Sequence, residues 1–126
     1  NEAPAVLQHG GRVFMTYSAA GTGAEYCLGL LWADDGADLM TPASWHKSPG
    51  PVFSSSPENG LYGPGHNSFL VEPDGTVLNL YHARNYRDIV GDPLKDTGRA
   101  TRVQPVRFTA DGMPDFGLPW RETATP

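Results

Sequence analysis

A chain of 126 residues is long enough to bury one small core, and a net charge of −5 with no basic run longer than two residues argues against nucleic acid and anionic membrane as partners. Glycine and proline together make up about a fifth of the residues and apolar types 39%, a balance that favours turns and sheets with one wet face over helices. No apolar run approaches the roughly 18 residues of a membrane span, no signal peptide is visible, and the single cysteine, Cys27, rules out an internal disulfide.

In chain order, Ala5 to Leu7 and Val13 to Ala19 read as a hairpin closed by His9-Gly10-Gly11. The apolar run from Tyr26 to Ala33 predicts a third strand buried on both faces, with Cys27 as a small hydrophobe inside it. Thr41-Pro42-Ala43-Ser44-Trp45 predicts one helical turn, capped by Thr41 with Pro42 in its first position. Pro51-Val52-Phe53 reads as an edge strand, where proline is tolerated. A polar, glycine-rich loop from Ser54 to Gly65 then leads to three more strands, Asn67 to Val71, Val77 to Ala83 and Arg102 to Phe108. The connection from Arg84 to Ala100 is long and charged, as functional loops often are.

The two halves repeat. Glu2 to Tyr17 aligns over His66 to Tyr81 at an offset of 64 residues, and Asp34-Asp35-Gly36 recurs as Ala110-Asp111-Gly112. Repeated antiparallel units of this size mark propeller blades, so the fold class is all-β, with two four-stranded antiparallel sheets as blades. The divisions fall at 1–62 for one blade with its outer loop, 63–118 for the next, and 119–126 for a tail or linker. Two blades do not close a propeller, because each covers its face only against a neighbour. The expected partners are therefore upstream blades of a larger protein, a complementary chain or further copies of this one.

The alignment places Glu2 and His66 at the head of the two repeats. Glu2 precedes Ala3-Pro4, which predicts extended backbone. Read from the residues alone, it is either a carboxylate facing the blade axis or a solvated side chain. His66, in Gly63-Pro64-Gly65-His66-Asn67-Ser68, is either a ligand to a metal or water on the axis, a substrate contact, or a hydrogen-bonded core histidine. No second ligand stands at zinc spacing, while a calcium ion held mostly by water stays open. Arg84, Arg87, Arg99 and Arg102 cluster about the long loop; forked guanidinium donors suit hydroxyl or carboxylate recognition, and Asp88, Asp92 and Asp96 offer plain surface pairing instead. Trp32, Trp45, Tyr62, Tyr81 and Tyr86 are either sugar-stacking platforms or core. No nucleotide loop or nucleophile elbow is present, and no organic cofactor is expected.

Several segments, in order, resemble glycoside hydrolase family 43: Asn1-Glu2-Ala3-Pro4-Ala5-Val6, Val13-Phe14-Met15-Thr16-Tyr17-Ser18, Gly65-His66-Asn67-Ser68, and Gly98 to Val106 with Asp111-Gly112-Met113-Pro114. Tyr81-His82-Ala83-Arg84-Asn85-Tyr86 and Gly91-Asp92-Pro93-Leu94 are similar to its α-L-arabinofuranosidase branch. The resemblance implies a secreted enzyme built as a five-bladed propeller, with this chain as the last two blades, that removes arabinofuranosyl groups from arabinose-containing polysaccharides or oligosaccharides with inversion. It implies Glu2 as general acid, His66 beside an axial calcium or water cluster, and Arg99 as a substrate contact, with Tyr62 and Arg84 completing the substrate-binding set. Ala100 departs from the glutamate the family carries there. The family's base, an aspartate of its first blade, has no match in this sequence. A β-xylosidase of the same family and a non-catalytic, sugar-binding or self-assembling propeller piece are the alternatives.

Overall fold

The computed structural model describes residues 1–121 as two four-stranded antiparallel sheets with strands in plain sequential order. The first holds β1 (Glu2–His9), β2 (Arg12–Ala19), β3 (Cys27–Asp34) and β4 (His46–Lys47). The second holds β5 (Tyr62–Val71), β6 (Val77–Arg84), β7 (Ala100–Phe108) and β8 (Pro114–Asp115). This is the all-β arrangement read from the repeat. The β1–β2 turn uses Gly10 and Gly11 at φ 56° and 78°, a left-handed pair that suits a two-residue hairpin.

The two hairpins differ by one residue in their turns. Gln8 pairs with Val13 in the first, whereas Val71 pairs with Val77 in the second. The repeat offset is therefore 64 between β2 and β6 but 63 between β1 and β5. The gapless alignment is corrected accordingly: Glu2 corresponds to Gly65, and His66 corresponds to Ala3. The backbone agrees, since Ala3 and His66 share φ 50°, a left-handed conformation rare outside glycine. The ladder shifts register there in both sheets, between Glu2 and Ala5 and between Gly65 and Ser68. Ala3 thus kinks the strand where extended backbone was expected, and Glu2 rejoins the ladder beyond the kink opposite Ser18.

Two other expectations change. Pro51-Val52-Phe53 forms only an isolated bridge, Leu28 to Phe53, and the fourth strand is His46–Lys47. The turn at Pro42–Ser44 is 3-10, and Thr41 does not cap it, because its hydroxyl donates to Asp38 Oδ2 at 2.8 Å.

The shared core follows from the period of two. Leu7, Phe14, Leu28, Leu30 and Phe53 of the first sheet pack against Val77, Tyr81, Ala83, Val106 and Phe116 of the second. Phe53 meets the Tyr81 ring edge-on at 4.8 Å between centroids. Polar side chains cross this apolar seam as a relay. Thr16 Oγ1 donates to Asn67 Oδ1 at 2.8 Å, and Asn67 Nδ2 donates to Asn79 Oδ1 at 3.0 Å, with all three side chains buried. Nearer the Glu2 end, the backbone N–H of His66 donates to Ser18 Oγ at 2.7 Å.

The far faces of both sheets carry uncovered apolar side chains. Pro4, Met15, Tyr17 and Leu31 line a shallow hollow on the first, and Leu70 and Val103 stand about half exposed on the second. Pro119 is buried and its carbonyl accepts from Asn59 Nδ2, while the Trp120 N–H donates to Gln104 Oε1. The rest of the expected tail, 122–126, lies outside the described residues. Among the described residues no helix is long and apolar enough to cross a membrane.

The relay makes a stability prediction. Asn67→Ala leaves the Thr16 hydroxyl only the longer bond to the Ala5 carbonyl at 3.4 Å, strands the Asn79 carbonyl in the core, and should lower the unfolding free energy by roughly 1–3 kcal/mol. Urea titration of the variant beside the exposed Gln8→Ala, expected within about 0.5 kcal/mol of the parent, checks it.

Candidate active site

The kink at Ala3 leaves the Glu2 side chain exposed at the edge of the first sheet, within reach of the second. Its carboxylate accepts from the Tyr26 hydroxyl at 2.5 Å. That bond, helped by the nearby His66 and Asn1 amine, outweighs desolvation and holds the carboxyl below the usual glutamate range. Tyr26 stands one residue before β3 and is only 4% exposed. Its ring lies parallel to that of His82, 5.7 Å away with an interplanar angle of 3°. Burial, and then the hydrogen bond to Glu2, push the phenol up to about 12, so it remains a donor throughout the working range.

Beside this group opens a cleft of about 550 Å³ on the outer face of the second sheet, lined by His66, Ser68, Leu80, His82, Arg99 and Thr101 among others. Glu2 is not among the lining residues; it is tied to them through Tyr26, which donates to its carboxylate and stacks on His82. His66 is exposed, with its ring 6.2 Å from that of His82. His82 is pushed down to about 4 by burial, then by the positive charges of Arg99, His66 and Arg84, and so stays neutral. The cleft is thus lined by two imidazoles, one guanidinium and the hydroxyl side chains of Ser68, Thr101 and Tyr81, the last bonded to Gln104, with the Glu2 carboxylate joined to it through Tyr26. That chemistry suits a neutral polyhydroxylated ligand approached by a proton donor.

Arg99 reaches the cleft because the long loop is tied down. Asp96 Oδ1 accepts from Arg84 Nε at 2.9 Å, from the Tyr86 hydroxyl at 2.6 Å and from the Gly98 N–H at 3.0 Å. A Cβ on Gly98 would overlap the Tyr86 hydroxyl, so the knot requires glycine there. Arg84 also donates to the carbonyls of Thr22 at 3.0 Å and Pro93 at 2.9 Å, and it is 1% exposed. This corrects its expected substrate-binding role: the guanidinium is buried and engaged in holding the loop. Tyr62 pairs with Arg84 at the start of β5, half-buried, and does not line the cleft. Glu2, His66 and Arg99 are the expected residues that the structure brings together.

Tyr26, His82 and Ser18 were not singled out from the residues. Tyr26 sits at the end of an apolar run and reads as core, and its partner Glu2 is 24 residues away with no local pattern joining them. The crowding glycines Gly63 and Gly65 were the available signal, because a Cβ on Gly65 would come within 2.6 Å of Tyr26 Cδ1. A calcium beside His66 would have to take most of its oxygens from water. Calcium takes six to eight oxygens, whereas His66 is faced by His82 and Arg99, and the described residues contain no group of three His, Cys, Asp or Glu able to hold a metal.

Residues 1–114 match the family model for glycosyl hydrolases family 43. The whole chain is 58% identical to an extracellular exo-α-(1→5)-L-arabinofuranosidase of Streptomyces avermitilis and 53% identical to α-L-arabinofuranosidase 43 of Humicola insolens, covering 26% of each. It spans about a quarter of the length of these curated relatives. The solved α-L-arabinofuranosidase of Lactobacillus brevis superposes with a TM-score of 0.92 at 50% identity, over 98% of this chain and 38% of that one. Solved members of the family are five-bladed β-propellers, and the two sheets here are two such blades. The extent of the match and the identity to these relatives show that this chain belongs to glycosyl hydrolase family 43.

Proposed function

We propose that this chain supplies the proton-donating part of an α-L-arabinofuranosidase that releases terminal arabinofuranosyl groups from arabinose-containing glycans with inversion. The observation that carries the reading is the Glu2 carboxyl, set beside a kinked backbone and joined through Tyr26 to His82 of the cleft that His66 and Arg99 also line. The relatives at 50–58% identity bear arabinofuranosidase names, which favours this substrate class over the β-xylosidase alternative. The Streptomyces relatives are named extracellular, in line with a secreted enzyme.

In this mechanism Glu2 protonates the leaving glycosidic oxygen while Arg99 and the hydroxyls of Ser68 and Thr101 orient the sugar. An inverting reaction needs a second carboxyl about 6.5–9.5 Å away, with the attacking water between them. The cleft lining contains no carboxylate among the described residues, so the base is assigned to another part of the propeller. The apolar side chains of the outer faces give further blades a surface to cover, and part of the cleft would be filled by the next blade. Those blades also have an electrostatic task. Tyr26 stabilises the ionised carboxylate, so an acid working near neutral pH needs burial and negative charge from the opposite side to retain its proton.

Glu2→Gln in the intact enzyme should lower kcat on an arabino-oligosaccharide roughly 10²–10⁴-fold, with a far smaller loss on 4-nitrophenyl α-L-arabinofuranoside, whose leaving group needs little protonation. Equal activity on the oligosaccharide would remove Glu2 from this role. The depressed His82 makes a second prediction, about stability. Its folded value is about 4 against an ordinary 6.5, so the unfolded chain binds the extra proton between these values. Stability from this group is complete above about pH 6.5 and is lost as the pH falls towards 4. His82→Gln should therefore show a smaller fall in Tm between pH 7 and pH 4 than the parent, measured by differential scanning calorimetry.

A further inference from the structure

We propose that Tyr26 positions Glu2: its phenol, packed against the Gly65 backbone and the neighbouring His82 ring, holds the carboxylate in one orientation beside the cleft. The proposal rests on Glu2 being the proton donor. An exposed glutamate on a strand edge has several free side-chain torsions, and a proton donor must point at one oxygen. Among the described residues Tyr26 is the sole hydrogen-bond partner of this carboxylate. The tyrosine itself is immobilised on every side. Its ring is stacked on His82, and a Cβ on Gly65 would overlap its edge. Its backbone N–H donates to Gly23 at 3.2 Å. Gly63, at φ 62°, lies so close that a Cβ there would approach the Gly23 carbonyl to 2.6 Å and Tyr26 Cβ to 3.6 Å. Two bare glycines of β5 thus make the slot that fixes a side chain of the other sheet.

The charged and titratable groups facing the pair are His66, His82, Arg99 and the Asn1 amine. None of these hydrogen-bonds the carboxylate, so the phenol hydroxyl is the group whose removal frees it. Removing it acts in two ways. The carboxyl loses its fixed orientation, and its ionised form loses a donor, so it holds its proton to higher pH.

The test is Tyr26→Phe in the intact enzyme, which keeps the ring in its slot. We expect kcat on an arabino-oligosaccharide to fall at least tenfold with KM within about twofold. The loss on 4-nitrophenyl α-L-arabinofuranoside should be several-fold smaller, and the alkaline limb of kcat/KM should move to higher pH. In a Glu2→Gln background, adding Tyr26→Phe should cost nothing further, because the tyrosine acts through the glutamate. The proposal is overturned by a folded Tyr26→Phe variant with unchanged kcat and alkaline limb, by an equal loss on both substrates, or by a further loss in the Glu2→Gln background. Should Glu2→Gln alone keep full oligosaccharide activity, the acid assignment itself fails. A neutral Tyr26→Phe beside a dead Glu2→Gln leaves that assignment standing and removes only the positioning role. If Tyr26→Phe does not fold, Gly65→Ala, which pushes the ring from its slot, is read by the same leaving-group comparison.

Discussion

The seam between the two sheets carries a line of polar bonds through an apolar core, and the geometry of the cleft depends on it. β5 lies against β1, β2 and β3, and it is joined to them by Thr16 to Asn67 and by Ser18 to the His66 backbone. A wholly apolar seam would tolerate sliding, since hydrophobic contact has little direction. The buried amides and hydroxyls do not, because a shift would leave each of them unpaired at a cost larger than the bond is worth. The relay therefore sets the relation of one sheet to the other, and with it the distance from Glu2 on the first sheet to His66 and His82 on the second.

Backbone strain is concentrated at this same place. Ala3 and His66 both adopt a left-handed conformation, and both strands slip register beside them. Conformations of this kind cost energy and persist where surrounding structure over-determines them. Here the register shifts let the side chains on either side of each kink depart from strict alternation across the sheet. Strand geometry alone would have sent them to opposite faces. The long connection after β6 shows the complementary solution. A buried arginine and one aspartate gather three loop segments, and Arg99 is carried to the cleft by that knot.

The two outer faces set the scale of the assembly. Each sheet has a covered face in the shared core and an uncovered face opposite it, with an apolar hollow on the first and, on the second, exposed Leu70 and Val103 beside the polar cleft. Quasi-one-dimensional arrays bury such faces only by adding neighbours. The cleft and the electrostatics agree with this. The Glu2 carboxyl is held low by a phenol, and burial and negative charge brought by further blades would raise it.

Much of the fold was legible along the chain. Strand alternation, turn glycines and the internal repeat specify two antiparallel sheets, because each rests on contacts between near neighbours and a period of two. The same reasoning reached Glu2, His66 and Arg99, which stand in short segments resembling the family. It missed the one-residue difference between the hairpins, since a gapless alignment is blind to a longer turn. It also placed Arg84 with the substrate, because charge and loop position look alike whether a guanidinium is free or buried. Tyr26 carried no signal of its own, since its meaning comes from a slot formed by Gly63 and Gly65 on another sheet. Sequence by itself determined the elements and the chemical types available at the head of each repeat. Tertiary structure alone decided which of them meet, because that depends on register shifts, bare backbone and burial between residues far apart in the chain.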